Sequence, residues 1–325
     1  GYMYKIAHIA DTHIRNLKYH DEYRIAFRDL YEKLANDSPD CIVHCGDIAH
    51  TKTQLSPEYF QLCAEFLSSL ANIAPTYVIL GNHDGNLKND NRQDALTPIV
   101  NALRHPNLHL LKDSGEVHLD DGLALNVLSI FDRDNWLKPT NPDKINIALY
   151  HGAIAGSLTG ANWTMDQGDD NADIFRDFDF AMLGDIHRQQ QLDPEGRVWY
   201  CGSTTQQKFS ESALKGYLLW EISSKDKFNV IKRHISNPRP FITIRLEENG
   251  KLPDTHVPRG SRLRIISKTN LPSDKLRKAR SIAEMRWSPY TVNVINGKES
   301  HSMHDEGKYS NSVLTENLRN VSVQE

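Results

Sequence analysis

The sequence lacks the features of membrane, secreted and disulfide-bonded proteins. No apolar run approaches the roughly 20 residues that span a bilayer, and the chain does not start with a signal-peptide pattern. Its four cysteines form no C-x-x-C pair. Cys41 and Cys45 lie in an apolar run, so we expect reduced core cysteines rather than zinc or disulfide partners. These absences predict a cytoplasmic protein that has no contact with a membrane.

Neither sign of charge dominates the chain as a whole, with 38 Lys and Arg against 42 Asp and Glu. The stretch from Arg239 to Lys298 nevertheless has 13 basic residues against 5 acidic ones, whereas the rest has 25 against 37. A basic module joined to an acidic body is what we expect of a metal site next to a surface that binds the phosphates of a nucleic-acid backbone. The alternative is a basic helix that is merely solvated.

Strand and helix patterns alternate in the first part of the chain, and strands dominate after it. The early strands are predicted at Tyr4–Ala10, Cys41–Cys45 and Thr76–Leu80, and the helices at Asp21–Asn36, Ser56–Asn72 and Asp94–Arg104. Later strands are predicted at Leu123–Ile130, Ile145–Tyr150, Phe178–Leu183, Val198–Cys201, Tyr217–Ile222 and Phe228–Ile235. This order favours a mixed α/β (α+β) fold, a β-sandwich flanked by helices.

Pro238 and Pro240 mark a linker that divides the chain. We expect a main domain over 1–237 and a small β-β-α-β module over 238–297. Its elements are predicted at Phe241–Leu246, Arg262–Ser267, Ser273–Arg286 and Tyr290–Ile295. Residues 298–325 read as a polar tail. Its apolar residues at roughly helical spacing indicate either a partner-docking helix or a frayed terminus: Val313, Leu314, Leu318 and Val321.

Five short segments each come directly after an apolar strand and contain residues that can ligate a metal. They are Asp11-Thr12-His13, Gly46-Asp47, Gly81-Asn82-His83-Asp84, His151-Gly152 and Asp185-Ile186-His187. Loops at strand ends can bring side chains from a rigid sheet to one point. In an extended chain, residues i and i+2 share a face, so each D-x-H pair is expected to grip one ion.

The mixture of side chains suits a site for two divalent ions. Such ions lie about 3.5–4 Å apart and share ligands. Asp supplies hard oxygen ligands that suit manganese, while imidazoles and an Asn carbonyl complete the shells at limited charge. One D-x-H motif alone means little, but five such segments in this order are a specific signal.

These segments resemble those of the calcineurin-like metallophosphoesterases. Within that superfamily the chain is similar to the SbcD-type DNA double-strand-break repair nucleases, especially the recombination endonuclease subunits of phages. The resemblance covers about Met3–Ile295. It includes Cys201-Gly202-Ser203 with the following Gln206, Gln207 and Glu211. The β-β-α-β module is similar to the capping domain of these nucleases, which contacts DNA.

The resemblance implies a role for each matched residue. Asp11, His13 and His187 would hold the first ion, Asp47 would bridge, and Asn82, His151 and Asp185 would hold the second. His83 would not ligate but would lie beside the scissile phosphate. His50 is either a second active-site histidine or a surface histidine. The family commonly has His-x-His where this chain has Asp185-Ile186-His187, which puts the metal preference in doubt.

The resemblance also implies the activity, the cofactors and the partners. The cofactors would be two divalent ions, manganese first and magnesium as the alternative. A water would attack phosphorus in line, and His83 would stabilise the charge or protonate the leaving 3′ oxygen. The implied activities are 3′-to-5′ exonuclease on duplex DNA and endonuclease on single strands. The partner would be an SMC-like coiled-coil ATPase of the SbcC type, with two nuclease subunits at the core of a heterotetramer, in the host cytoplasm if the chain is phage-encoded.

Two other interpretations of the function stay open at this point. One is a protein phosphatase or a small-molecule phosphodiesterase. Such phosphatases carry an Arg soon after Gly-Asp and a Glu after Gly-Asn-His, whereas this chain has Ile48-Ala49-His50 and Asp84. A small-molecule diesterase would not need the basic module. The other reading is an inactive scaffold for the ATPase, which would not need seven converging ligands.

Overall fold

The computed structural model describes residues 1–88, 92–120, 122–159 and 163–297. The predicted tail and its apolar stripe therefore lie outside the described residues. The chain divides into two compact units, one over Gly1–Ser236 and one from Asn237 onward.

The described residues of the first unit form twelve strands and three α-helices. In chain order the strands are β1 (Tyr4–Ile9), β2 (Cys41–His44), β3 (Thr76–Ile79), β4 (Leu108–Leu111), β5 (Gly115–Asp120), β6 (Leu123–Leu128), β7 (Ile145–His151), β8 (Phe180–Gly184), β9 (Gln190–Gln191), β10 (Val198–Tyr200), β11 (Lys215–Ile222) and β12 (Phe228–Ile235). The helices are α1 (His20–Asp37), α2 (Pro57–Ile73) and α3 (Thr97–Leu103), with short 3₁₀ turns at Arg133–Asn135 and Ala172–Phe175.

The strands form two six-stranded sheets. The first has the order β12-β11-β1-β2-β3-β4, and the second has the order β5-β6-β7-β8-β10-β9. β1, β2, β3 and β4 are parallel neighbours, as are β6, β7 and β8. The carboxyl ends of β1, β2 and β3 therefore meet at one edge of the first sheet, and those of β7 and β8 at one edge of the second.

Three apolar clusters show how the helices and the two sheets of the first unit pack in layers. Phe27, Leu30 and Phe66 of α1 and α2 pack on one face of the first sheet. A second cluster joins the two sheets and includes Val43 and Leu149, and a third covers the outer face of the second sheet. The predicted β-sandwich flanked by helices is confirmed.

Local sequence explains the helix starts. Ser56 caps α2 by accepting a hydrogen bond from the Tyr59 amide at 3.0 Å, and Pro57 takes the first turn. The predicted start of α3 at Asp94 was wrong. The Asp94 carboxylate accepts hydrogen bonds from the Leu96 and Thr97 amides at 2.9 and 2.7 Å, so it caps the helix from outside. Strands β4, β5 and β9 lie at sheet edges and were not predicted. β4 and β9 have only four and two residues, whereas β5 does alternate polar and apolar residues and was overlooked.

The second unit has the expected order of strand, strand, helix and strand. Its elements are β13 (Phe241–Arg245), β14 (Arg262–Ile266), α4 (Ser273–Trp287) and β15 (Thr291–Ile295), with all three strands parallel. One face of the sheet, with Ile244, Leu263 and Ile265, packs with Ala283 and Trp287 of α4. The assignment of this unit as a DNA-contacting capping domain stays a prediction.

The four cysteines are free and buried, as predicted. In the described ranges no helix combines the length and the apolar character needed to cross a bilayer.

Candidate metal centre

The seven predicted ligands all stand at the carboxyl ends of parallel strands. Asp11 and His13 follow β1, Asp47 follows β2 and Asn82 follows β3. In the second sheet, His151 is the last residue of β7, and Asp185 and His187 follow β8. The structure brings the seven side chains together where the two sheets meet, and their roles as ligands stay a prediction.

Asp11, His13 and His187 form the first donor set. Each offers one ligand atom, and the three atoms lie within 4.8 Å of one another. His13 Nε2 is 3.6 Å from Asp11 Oδ1 and 3.1 Å from His187 Nε2. Two imidazole nitrogens and a carboxylate oxygen facing one point form a suitable set for a transition-metal ion.

The second donor set surrounds His151. Its Nε2 lies 3.0 Å from Asn82 Oδ1, 3.2 Å from Asp47 Oδ2 and 3.5 Å from Asp185 Oδ1. Asp185 is therefore placed where a ligand of the second ion is expected. Its carboxylate adds a negative charge that an imidazole at this position would not supply.

Asp47 lies between the two sets. Its Oδ2 is 3.6 Å from His13 Nε2 on one side and 3.2 Å from His151 Nε2 on the other. Its Oδ1 accepts a hydrogen bond from the His83 amide at 2.8 Å, which fixes the carboxylate plane. This is the position that a bridging carboxylate requires.

Hydrogen bonds fix the ring nitrogens that face the centre. His151 Nδ1 donates to the Cys45 carbonyl at 2.7 Å, so its Nε2 keeps the lone pair. His187 Nδ1 donates to the Glu211 carboxylate at 3.0 Å, so its Nε2 is also a lone-pair donor. Such partners on the far side of the ring are typical of metal-binding histidines.

The residues present fit a cation for a second reason. Asp11 Oδ1 is buried and has no hydrogen-bond partner among the described residues. Burial raises the pKa of Asp11 to about 7. A buried, unpaired carboxylate is costly unless a cation compensates it, and the orphaned oxygen faces the first donor set.

The backbone of the ligand loops differs from the expected extended conformation. The φ angles are positive at Asp11 (53°), His13 (47°), Asp47 (61°) and Asp185 (110°). The prediction that each D-x-H pair converges because extended residues i and i+2 share a face was therefore wrong. Asp11 and His13 reach the same donor set through left-handed backbone, whereas Asp185 and His187 lie in different sets. The strain of such backbone, about 1–3 kcal/mol per residue, is common at functional sites.

Two glycines make room for the centre. A Cβ on Gly46 (φ 99°) would lie 2.4 Å from His151 Nδ1. A Cβ on Gly81 would lie 2.2 Å from Asp47 Oδ1. Both positions therefore require glycine for the ligands to approach the backbone.

Asp84, which the sequence places after Gly-Asn-His, does not act as a ligand in either donor set. Its fully buried carboxylate accepts hydrogen bonds from the amides of Asp47, Ala49 and Gly81, at 2.8, 2.8 and 2.9 Å. It clamps the loops after β2 and β3 together. Burial and the nearby Asp47 raise the pKa of Asp84 to about 7.

Glu211 supports His187, a role that the sequence did not reveal. It accepts hydrogen bonds from Ser203 Oγ at 3.2 Å and the Gln207 amide at 3.1 Å, and pairs with Lys215 at 3.0 Å. Burial opposes the charge, but His187 and Lys215 outweigh it and lower the pKa of Glu211 to about 2. The only sequence signal was its place in the late Gly-Ser segment.

A chain of hydroxyls supports the first D-x-H segment. His44 Nδ1 accepts from the Gly46 amide at 3.2 Å, so its Nε2 donates to Thr12 Oγ1 at 2.8 Å. Thr12 Oγ1 lies 2.9 Å from Thr204 Oγ1, which donates to the Ala10 carbonyl at 2.9 Å. The sequence gave no indication that His44 supports this segment.

His83 and His50 lie beside the first donor set. His83 Nδ1 donates to the His50 carbonyl at 2.7 Å, so its Nε2 has the lone pair. The His83 ring is centred 5.0 Å from that of His13. Arg15 donates to His50 Nε2 at 2.7 Å, and burial together with this guanidinium lowers the pKa of His50 to about 3. The ring nitrogens of His13, His50 and His83 approach within 4.8 Å, so His83 as a non-ligand stays a prediction.

The sequence profile of the calcineurin-like phosphoesterases matches residues 4–189, a span that contains all seven donors. The chain belongs to the calcineurin-like phosphoesterase family. Proteins of this family are phosphoesterases that use divalent metals, and this chain brings together Asp and His side chains that could hold a metal ion. The similarity to Mre11, described next, agrees with the predicted likeness to SbcD-type nucleases.

Three relatives illustrate the range of similarity. The uncharacterised R555 protein of Acanthamoeba polyphaga mimivirus is 36% identical over 278 residues, which are 80% of this chain and 20% of that protein. The 244L protein of Invertebrate iridescent virus 6, described as a phosphoesterase, is 27% identical over 66% of this chain and 75% of that protein. The DNA double-strand break repair protein Mre11 of Haloferax volcanii is 26% identical over 76% of this chain and 56% of that protein. The chain thus spans only a fifth of the mimivirus relative and just over half of the archaeal one.

Proposed function

We propose that this chain is a two-metal DNA nuclease, a 3′-to-5′ exonuclease on duplex DNA and an endonuclease on single strands. The observation that carries the proposal is the Asp47 carboxylate, with Oδ2 placed between His13 of one donor set and His151 of the other. Manganese is the favoured ion because carboxylate and imidazole donors are mixed, and magnesium is second.

The side chains divide the chemistry between them. Asp11, His13 and His187 would bind one ion. Asn82, His151 and Asp185 would bind the other ion, and Asp47 would bind both. Bound divalent ions supply an activated water and neutralise charge on phosphate. His83 is fixed through its Nδ1 hydrogen bond to the His50 carbonyl, which leaves Nε2 to bind or protonate the leaving 3′ oxygen.

DNA is the proposed substrate for two reasons. The similarity to an Mre11 protein extends over three quarters of this chain. In the second unit, α4 carries four exposed basic side chains, Lys275, Arg277, Lys278 and Arg280, spread over the solvent side of the helix. Exposed basic side chains on a helix suit the phosphates of a nucleic-acid backbone.

The proposed setting is recombination and DNA end processing. We infer an SMC-like coiled-coil ATPase as the partner and two nuclease subunits at the core of the assembly, on the strength of the Mre11 similarity. Two of the relatives are viral, which supports action in the cytoplasm of an infected cell.

The test is manganese-dependent digestion of duplex and hairpin DNA labelled at either end, with and without the ATPase. We expect shortening from 3′ ends and opening of hairpins. The His83→Ala protein should be inactive and serves as the control for contaminating nucleases. Hydrolysis of bis-p-nitrophenyl phosphate without any DNA cleavage would show a different phosphodiesterase. Inactivity on both substrates, with the ATPase still bound, would show a scaffold.

A further inference from the structure

A cleft of about 600 Å³ lies on the far side of His187 from the metal centre. The His187 ring separates the two, because its Nε2 faces His13 while its Nδ1 faces Glu211, which lines the cleft. The volume is in the range of small-molecule sites, about 300–1,000 Å³. The lining comes from the loop after β8, the Gly-Ser segment after β10, and strands β11 and β12 of the first sheet.

The described lining of the cleft is rich in hydrogen-bond donors and positive charge. Three side chains with permanent positive charge line it, Arg188, Lys215 and Lys232, against the single carboxylate of Glu211. That carboxylate is already fully engaged by Lys215 and by His187. The cleft therefore carries a net positive charge.

Several of these donors have no acceptor in the described part of the chain. The Arg188 guanidinium has no hydrogen-bond or ion-pair partner there, and Ser210 Oγ is buried without one. Lys232 is held only by the ring of Trp199, at 5.9 Å. His234, two residues along β12 from Lys232, is on the same face of the strand and also unpaired. Lys232 and His234 are exposed and Arg188 is half-buried, so all three can reach a ligand in the cleft, and a cleft with this net positive charge suits an anion.

We propose that this cleft binds a phosphate group, carried by a nucleotide or by a nucleic-acid strand, through Arg188, Lys232 and His234. A guanidinium and an ammonium form charge-assisted hydrogen bonds with phosphate oxygens, and an imidazole N–H adds a further donor. Gly216 keeps the β11 wall of the cleft free of a side chain. The site is distinct from the metal centre and goes beyond the proposed nuclease activity.

The test measures binding without metal, in EDTA at pH 8. Under these conditions the carboxylates of Asp11, Asp47 and Asp185 repel anions from the metal centre, so phosphate binding reports on the cleft. The probes are inorganic phosphate, 2′-deoxyadenosine 5′-monophosphate and a 5′-phosphorylated deoxyoligonucleotide of six residues, each titrated by calorimetry. The variants are Lys232→Ala with His234→Ala, and Arg188→Ala. Lys227→Ala is the matched control, since it removes a lysine from the same β-hairpin outside the cleft.

We expect saturable binding of at least one probe, weakened about tenfold or more by either cleft variant and by less than about twofold by the control. Equal affinity for inorganic phosphate and the mononucleotide would show that the phosphate alone is recognised. Tighter binding of the oligonucleotide would identify a strand as the ligand. The proposal is overturned if no probe binds, or if both folded cleft variants bind like the control. Manganese-dependent DNA cleavage is measured separately, so failure here leaves the nuclease proposal standing.

Discussion

Replacing Asp185 by Asn is the sharpest test of the metal centre. The change keeps the shape of the side chain and removes one negative charge 3.5 Å from His151 Nε2. Asn also tolerates the positive φ of 110° at this position better than Ala does. The substitution therefore isolates charge from backbone strain.

The expected loss follows from the distance. The ion is divalent, so one carboxylate charge about 4 Å from it interacts by about 8 kcal/mol at an effective dielectric of about 20. The amide oxygen that replaces the carboxylate still attracts a cation and recovers part of this energy, so we expect a net loss of about 3 kcal/mol, or about a hundredfold in affinity for one ion. The other ion, which we propose is held by Asp11, His13 and His187, should stay bound.

Manganese titration by calorimetry and metal analysis of dialysed protein measure this. Asp226→Asn is the control, because its carboxylate is 98% exposed and outside the centre. Asp185→His should keep manganese-dependent activity, need more manganese for half-activity and lose support by magnesium. Two ions bound with unchanged affinity in Asp185→Asn would remove Asp185 from the ligand set.

Three further predictions concern other parts of the chain. His83→Ala should lose about 10²–10⁴-fold in turnover while manganese and DNA binding stay nearly intact; loss of a bound ion would make His83 a ligand. Glu211→Gln should weaken manganese binding about 10–100-fold. The pKa of Glu211 is lowered from 4.5 to about 2, so its ionised carboxylate stabilises the folded protein above pH 4.5, and this contribution is lost as the pH falls toward 2. The free energies of unfolding of the unchanged protein and of Glu211→Gln should therefore converge near pH 2. Reversing Lys275 and Lys278 to Glu should weaken duplex binding and reduce its log–log salt slope by about 0.9 per lost phosphate contact; an unchanged slope would mean that α4 does not contact DNA.

The donor residues could be predicted from the sequence because each stands directly after an apolar strand. The order of strands in a parallel sheet then brings these strand ends together, whatever the loops do. The loop conformation could not be predicted, since the loops with positive φ at Asp11 and Asp47 are held by hydrogen bonds to residues distant in sequence. The Asp11 amide donates to the Gly46 carbonyl and the Asp47 amide to the Asp84 carboxylate.

The supporting residues escaped prediction for a different reason. Thr12 and Thr204 are 192 positions apart, and His187 and Glu211 are 24 apart, so only the fold pairs them. Asp84 looks like a ligand in sequence, and only its three amide donors identify it as a clamp. Edge strand β5 does alternate, with Val117 and Leu119 packed against the core between polar residues, as expected for a strand with one face in solvent, but the sequence prediction did not use this signal.

The approach of His151 to Gly46 has a consequence for the order of folding. One residue belongs to each sheet, and their contact spans more than a hundred positions of chain, as does the hydrogen bond from the Asp185 amide to Asp11. Contacts of such high sequence separation form late, because the closure of long loops must come first. The pairing of β1 with β11 in the first sheet, Tyr4 with Ile222, has a still larger sequence separation, so this sheet also closes late and the centre is completed with it. A divalent ion should then slow unfolding of the finished protein while leaving its refolding rate nearly unchanged.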